Sequence, residues 1–341
     1  MARSAVDRVW ESAAIRARVA RAALIPPSWL YASVSAARNL AYDLGWLRSR
    51  QLTLPSISVG NLTVGGTGKT PVSAFIAARL AELGARPAIV MRGYGGDEPL
   101  VHARLNPEIP VVIDADRVRG TGEAREKGCS VVVLDDAFQH RRARRDVDIV
   151  LLSADRAGPV RALPAGPWRE PLTSLRRATV IIVTRKSASA LRARDLLAQA
   201  RLFAPHAATA IVHLAADRII GCLSGESLDL AALRGKAVLA IAAIADPRAF
   251  STQLSDTGAR VELATEADHH AYSAADASAL ARRAARAEFV ICTLKDAVKL
   301  TPIWPREAPP LWYLSQRVMV ESGAAELDAI LAALAVAKTT N

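Results

Sequence analysis

Leu54-Pro55-Ser56-Ile57-Ser58-Val59-Gly60-Asn61-Leu62-Thr63-Val64-Gly65-Gly66-Thr67-Gly68-Lys69-Thr70 is the stretch on which the fold turns. Residues 54–59 read as a short apolar strand, and a glycine-rich turn ending in Lys-Thr follows directly. Pro71 then stands at a first helical position, Val72, Phe75, Ile76, Leu80 and Leu83 recur at helical spacing, and Gly84 supplies a C-terminal cap. The glycines therefore sit where a helix begins. A helix start offers unpaired N–H groups and partial positive charge, and glycine lets the backbone approach an anion closely. Lys69 can reach the outer phosphates of a nucleotide and the Thr70 hydroxyl can ligate magnesium, so Thr63, Gly65, Gly66, Thr67, Gly68, Lys69 and Thr70 are the candidate ATP-binding residues. The usual pattern GxxxxGK[ST] would place glycine at 63, where this chain has Thr63.

Such a site needs an acidic residue at the end of a neighbouring strand, and Ser130-Val131-Val132-Val133-Leu134-Asp135-Asp136 provides it. Side chains alternate faces along a strand, so one carboxylate points at magnesium and the other supports it or a bound water. Strand alternation leaves open which of Asp135 and Asp136 is the ligand. Apolar runs at 87–91, 110–113, 147–152 and 179–183 complete an α/β domain, a mostly parallel sheet with helices on both faces of the phosphate-loop nucleotide-binding kind. From about residue 207 the pattern restarts, with apolar runs at 237–244, 289–292 and 311–314 around an alanine-rich helical stretch at 274–287. The expected organisation is an N-terminal segment 1–50, a nucleotide-binding core 51–206, and a second, smaller α/β domain 207–341 whose end can return to the core.

With 341 residues, 51% hydrophobic and 23% charged, the chain is neither disordered nor low-complexity. Cys129, Cys222 and Cys292 are far apart and lack CxxC or ligand-spaced histidines, which argues against a disulfide framework or zinc site and for small buried hydrophobes. Lys+Arg 44 against Asp+Glu 33 leaves a net charge of +11, which suits anionic partners. Aromatic residues are only 5%, too few to supply base stacking, so nucleic acid is not an expected partner.

The N-terminus carries Arg3, Arg8, Arg16, Arg18 and Arg21 together with Asp7 and Glu11, and no continuous apolar core, unlike a secretory signal. The uncharged stretch at 22–37 is too short and too interrupted to span a bilayer, which needs about 20 apolar residues. Leu30, Val34, Ala37, Ala41 and Leu44 form one apolar stripe, with Trp29, Tyr31, Tyr42 and Trp46 as amphipathic rings. That pattern fits a helix lying in a membrane interface, and equally a helix packed on the protein's own core.

The loop and strand just described, together with Arg92-Gly93-Tyr94-Gly95, Gly96-Asp97-Glu98-Pro99, Asp135-Asp136-Ala137-Phe138-Gln139-His140-Arg141-Arg142, Leu163-Pro164-Ala165-Gly166-Pro167-Trp168-Arg169-Glu170-Pro171, Asp268-His269-His270 and Lys295-Asp296-Ala297-Val298-Lys299, resemble the ordered motifs of the tetraacyldisaccharide 4'-kinase family. Thr63 and the proline after Thr70 are shared with that family. The resemblance implies ATP- and Mg2+-dependent phosphorylation of a membrane-embedded acylated disaccharide phosphate in lipid A biosynthesis. It places the protein peripherally at the cytoplasmic face of the bacterial inner membrane, against an anionic surface and with no obligate protein partner evident. It also implies Asp97 as the catalytic base with His269 paired to it, Asp136 and Thr70 as the magnesium ligands with Asp135 as second choice, and Gln139, His140 and Arg169 as substrate-binding residues. Otherwise Asp97 would serve as a turn residue, His270 could replace His269, and the arginine run 141–145 would be a solvated face. Ala137 stands where the family has glycine, Ala243 and Asp246 replace a glycine and an asparagine, Leu294 replaces a glutamate, and the usual variable loop between Gly95 and Asp97 is missing. A soluble phosphate-loop kinase or ligase acting on a small metabolite, and a nucleotide-binding module without catalysis, are the competing expectations.

Overall fold

In the computed structural model the described residues are 9–10, 14–93, 96–156 and 160–337, so Arg3, Asp7, Arg8, Glu11, Tyr94 and Gly95 lie outside them. A short helix α1 (Ile15–Ala23) leads into α2 (Ile25–Asp43). Pro26 and Pro27 fall in the first turn of α2, where a missing N–H breaks no intrahelical bond, so the prolines start this helix rather than interrupt it. The elements that follow are β1 (Arg50–Gln51), β2 (Ser56–Asn61), α3 (Lys69–Glu82), β3 (Pro87–Met91), α4 (Glu98–Leu105), β4 (Val111–Ile113), α5 (Arg117–Glu126), β5 (Val131–Asp135), β6 (Ala143–Arg144), β7 (Val147–Ser153), β8 (Val180–Arg185) and α6 (Ala190–Arg201). Then come β9 (Ala208–Gly221), β10 (Ser227–Asp229), β11 (Ala237–Ala242), α7 (Pro247–Ser255), β12 (Arg260–Thr265), α8 (Ala274–Arg283), β13 (Phe289–Cys292), α9 (Leu294–Leu300), β14 (Leu311–Ser322) and α10 (Ala324–Val336).

These form two compact units. The larger comprises the described residues up to 93, with 102–213 and 318–337; the smaller comprises 96–101 and 214–317. Helix α4 and strands β9 and β14 each contribute residues to both.

In the larger unit the strand order is β9-β8-β7-β2-β5-β3-β4, parallel throughout. Strands β2, β3 and β5 are buried along their whole length, as expected where helices cover both faces of a parallel sheet. Val90, Val112, Val132 and Leu134 pack with Ala124 and Val118 of α5. Leu152, Ile181 and Val183 pack with Ala193 and Ala200 of α6. Helix α3 lies on β2, β3 and β5 with Ile76 and Leu80 fully buried. Its end follows the glycine expectation in detail. Gly84 takes φ +85°, its N–H reaches the Ala81 carbonyl at 2.9 Å, and the Ala85 N–H reaches Leu80 at 3.0 Å, the paired bonds of a left-handed C-terminal cap. Its start differs slightly: Lys69, not Pro71, is the first helical residue, because Gly68 in a left-handed conformation (φ +84°) turns the chain earlier.

In the smaller unit β11 lies between β12 and β13, with β14 beyond, all parallel, and β10 runs antiparallel to β9. Alternation along β11 feeds two cores. Leu239 and Ile241 pack with Ala277 and Leu280 of α8 and Ala297 and Leu300 of α9. Val238, Ala240 and Ala242 pack with Phe250 and Leu254 of α7. Cys129, Cys222 and Cys292 form no disulfide and lie buried among such apolar groups.

Among the described residues the apolar stripe of α2 is not packed on a core. Ser28 is the helix's buried residue, while Leu30, Val34 and Leu44 are exposed, and Trp29 and Trp46 are 68% and 77% exposed. The arginine run 141–145, expected as a solvated face, is instead largely tied down. Arg141 bonds Asp43 at 2.7 Å and stacks on Tyr42, Arg142 meets Asp116 at 3.2 Å, and Arg145 chelates Asp148 at 2.9 to 3.0 Å. Among the described residues no helix is long and apolar enough to cross a membrane.

Candidate active site

Strand β2 delivers the chain into the loop 63–70 in the larger unit. Gly60, at its end, has no room for a side chain, since a Cβ there would lie 2.5 Å from the Phe138 Cβ. Gly65 adopts φ +91° beneath the Arg156 guanidinium, which donates to the Val64 carbonyl at 2.7 Å. Thr67 is buried and held from two sides: the Asn61 amide donates to its hydroxyl at 2.7 Å and the Thr184 hydroxyl to its carbonyl at 2.8 Å. Thr63 bridges to Trp168, and the Val64 N–H donates to the Pro167 carbonyl at 2.8 Å. The LPAGPWRE block thus forms one wall of the loop. Thr63 fits this buried position at φ below zero, so the glycine of the general pattern is not required there.

The adjacent carboxylates at the end of β5 have different surroundings. Asp135 is buried and fully engaged: the Ser73 hydroxyl of α3 donates to Oδ1 at 2.9 Å, and His102 Nε2 of α4 lies 3.1 Å from Oδ2. Burial pushes its proton affinity up, but the His102 hydrogen bond and the nearby charges leave the carboxyl below its ordinary value. Asp136 instead faces cations, with Lys69 Nζ at 3.8 Å and Arg169 Nη1 at 2.9 and 3.0 Å from its two oxygens. It sits at φ +49°, a left-handed conformation uncommon for a residue with a side chain. The left-handed residue of this turn is therefore Asp136, and Ala137 has no positive φ. Alanine in place of the family's glycine costs no backbone strain.

Arg169 also lies 3.5 Å from Gln139 Oε1, and Gln139 donates to the Asn61 carbonyl at 2.8 Å, so Gln139, Arg169 and Asp136 gather beside the loop. His140 is not part of this hydrogen-bonded cluster. Its Nε2 is buried without a partner, and burial with the Arg117 and Arg145 charges lowers its pKa to about 4, leaving a neutral ring. Among the described residues no three His, Cys, Asp or Glu side chains gather into a metal cage. A magnesium ion bound with nucleotide asks for less, because it takes one or two protein oxygens and fills its shell with phosphate oxygens and water. Thr70 in the first turn of α3 and the carboxylates of Asp135 and Asp136 are the oxygen groups beside the loop that could hold such an ion.

The smaller unit holds Asp97 and His269 together. His269 Nδ1 is 3.3 Å from Asp97 Oδ1 and 3.2 Å from Oδ2, whereas His270 turns to Asp276 at 3.4 Å. The short connection before Asp97 does not prevent this pairing. His269 takes φ +60°, its N–H donating to the Ala243 carbonyl at 3.3 Å. The Asp97 side chain is only 1% exposed and that of His269 is 41% exposed, so the imidazole is the accessible member. The Asp97 hydrogen bond raises His269 above the ordinary 6.5 despite burial. Burial raises Asp97, but His269, Lys295 and Lys299 together bring it below its usual value. The other departures from the family pattern are accommodated too: Asp246 caps α7 by accepting the Ala249 N–H at 3.1 Å, and Leu294 packs against the core of its unit. His102 and Ser73 are site residues that the sequence did not single out, and Lys299 stood in a family-like block with no role given to it. Ser73 and His102 lie on helices whose partners come from distant segments, and nothing in their own spacing marks them.

A parallel sheet whose central strand runs into a glycine-rich loop, lysine and helix, beside a strand ending in paired carboxylates, defines a phosphate-loop nucleotide-binding protein built for phosphoryl transfer. Its nearer kin are specific. The family model described as tetraacyldisaccharide-1-P 4'-kinase matches residues 20–335, and the chain belongs to that family. Tetraacyldisaccharide 4'-kinase of Syntrophus aciditrophicus is 38% identical over 327 residues, covering 83% of this chain and 85% of the relative. That of Geobacter sulfurreducens is 38% identical over 326 residues, covering 88% and 90%. The crystal structure of LpxK from Aquifex aeolicus in complex with ATP superposes with a TM-score of 0.72 at 29% identity, covering 92% of this chain and 99% of that one.

Proposed function

We propose that this protein transfers the γ-phosphate of ATP to the 4'-hydroxyl of tetraacyldisaccharide 1-phosphate, forming a bisphosphorylated lipid A precursor at the cytoplasmic face of the inner membrane. The observation that carries this reading is the loop 63–70, with Lys69 and Thr70 opening α3 while Lys69 already meets a carboxylate from the end of β5 at 3.8 Å. Gly65, Gly66, Gly68 and the first N–H groups of α3 cradle the phosphates, and Thr63 and Thr67 shape the loop. Lys69 would turn from Asp136 to the phosphates, and Asp136 with Thr70 would hold Mg2+, Asp135 being the second choice. When bound, the ion neutralises charge on the transferring group. Arg169 and Gln139 hold the anionic disaccharide, the planar guanidinium suiting a phosphate, and the neutral His140 ring offers a hydrogen bond rather than a charge.

Phosphoryl transfer to a sugar hydroxyl needs the acceptor positioned in line and relieved of its proton. The Asp97–His269 pair supplies this. The family resemblance puts the base on Asp97 with His269 beside it; because the carboxylate is covered and the imidazole accessible, we place the accepting atom instead on His269 Nε2, with Asp97 fixing the ring through Nδ1 and stabilising the charge that appears on it. The exposed apolar face of α2, with Trp29 and Trp46, supports peripheral docking on a bilayer, where this substrate resides.

The test is transfer of labelled γ-phosphate from Mg-ATP to tetraacyldisaccharide 1-phosphate in detergent micelles. The intact chain is expected to label the lipid, and Lys69→Met to lower kcat/KM by about 100- to 1,000-fold, the usual cost of removing a preorganised charge from a transition state. ATP binding without lipid labelling would sink the reading and favour a soluble acceptor or a non-catalytic module.

A further inference from the structure

The Lys295-Asp296-Ala297-Val298-Lys299 block has so far no task. Lys295 and Lys299 are four residues apart and therefore lie on one face of α9. Each meets one of two adjacent carboxylates: Lys295 Nζ is 3.5 Å from Glu98 Oε1, and Lys299 Nζ is 3.7 Å from Asp97 Oδ2. Lys299 is itself held in place. It donates to the His270 carbonyl at 3.0 Å, lies 5.4 Å from the Tyr272 ring centroid, and is 3.8 Å from Asp296. Asp296, fully buried, accepts from the Thr293 hydroxyl at 2.6 Å, the Tyr272 hydroxyl at 3.1 Å and the Ala243 N–H at 3.1 Å. The carbonyl of the same Ala243 takes the His269 N–H, so one network fixes both the lysine and the histidine backbone.

We propose that Lys295 and Lys299 are positioning residues, a two-lysine clamp that keeps Asp97 ionised and sets the proton affinity of His269. The charged and titratable groups around the pair are Glu98 from α4, Asp268 and His270 from the loop before α8, and Lys295, Asp296 and Lys299 from α9. Lys295 and Lys299 bring positive charge to the pair against the carboxylates of Glu98, Asp268 and Asp296. An aspartate bonded to an imidazole holds the ring's proton tightly and so makes it a poor base near neutrality; positive charge beside the pair loosens that proton again. Lys295 acts in this direction on both members, lowering Asp97 and opposing the rise of His269.

The catalytic meaning of the clamp rests on the kinase reading, whereas its electrostatics do not, and the experiment separates them. The His269 imidazole of the full chain is titrated by NMR, its signals assigned by their loss in His269→Gln. Lys295→Met is expected to raise the midpoint by about half a pH unit or more, and Lys295→Arg to leave it near wild type. Lys299→Met should shift it in the same direction. Should that variant fail to fold, Lys295→Met decides alone, since Lys295 sits at a partly exposed position with its ion pair to Glu98 as its close contact among the described residues. A folded Lys295→Met protein with an unshifted midpoint overturns the proposal. A shifted midpoint carried into the rising limb of kcat/KM supports it, with KM for ATP unchanged. A shifted midpoint with no phosphoryl transfer from any variant, wild type included, supports the clamp and sinks the kinase reading.

Discussion

At the residue scale, the pair that moves the acceptor's proton is defined by unequal exposure and opposite perturbation. His269 is raised above 6.5 chiefly by the Asp97 hydrogen bond, so its base form grows in only above that pH, and kcat/KM should rise through the raised value. Asp97→Asn removes the largest cause of the rise. The rising limb should then move to lower pH while the plateau falls by about 100-fold or more, the scale of losing acid–base catalysis. A pH–rate profile of both proteins checks this, and a limb that stays in place would show that Asp97 does not tune the ring. Asp97 and His269 could be singled out in the sequence only through a motif. Nothing in residue type or spacing joins positions 172 apart, and the positive φ of His269 that turns its ring to Asp97 is a backbone detail no pattern reveals.

At the element scale, α2 is the helix whose two readings the sequence could not separate. Apolar spacing is the same for a helix facing a core and one facing a membrane. Only packing decides, and here the apolar face stays uncovered while the polar groups Arg38, Asn39 and Asp43 tie the helix to Gln139, Arg141 and Arg176. Replacing Trp29, Leu30 and Trp46 together by serine should weaken binding to anionic vesicles by at least about tenfold, since each large apolar side chain contributes roughly 1.5–3 kcal/mol on leaving water. Phosphorylation of substrate in detergent should change far less. Sedimentation with vesicles measures the first and the micelle assay the second; equal losses in both would mean that the helix builds the site rather than docking it. The strands show the converse. Continuous apolar runs made β2, β3, β5, β7, β8 and β13 legible because parallel strands buried on both faces carry little else. Strands β9 and β12, which carry charged residues and are only partly buried, gave no such signal.

At the scale of the whole molecule, a ligand that binds only the folded chain raises its stability. At 100 times its dissociation constant, Mg-ATP should add about 2.7 kcal/mol and raise the melting temperature by several degrees. Thermal melts should show this for wild type and largely lose it for Lys69→Met; an equal shift in both would place the nucleotide elsewhere. What the sequence by itself determined is the nucleotide half of the protein. A strand, a glycine-rich turn, Lys-Thr and a helix are contiguous, and local chemistry alone turns them into an anion site at a helix start. The tertiary structure alone decided how the dispersed groups combine: which of Asp135 and Asp136 stays open to cations, that His102 and Ser73 occupy the other, that Lys299 reaches Asp97, and that α2 leaves its apolar face bare. Those are contacts between segments distant along the chain, fixed by sheet order and strand register, and a linear pattern encodes spacing along one element rather than distance between two.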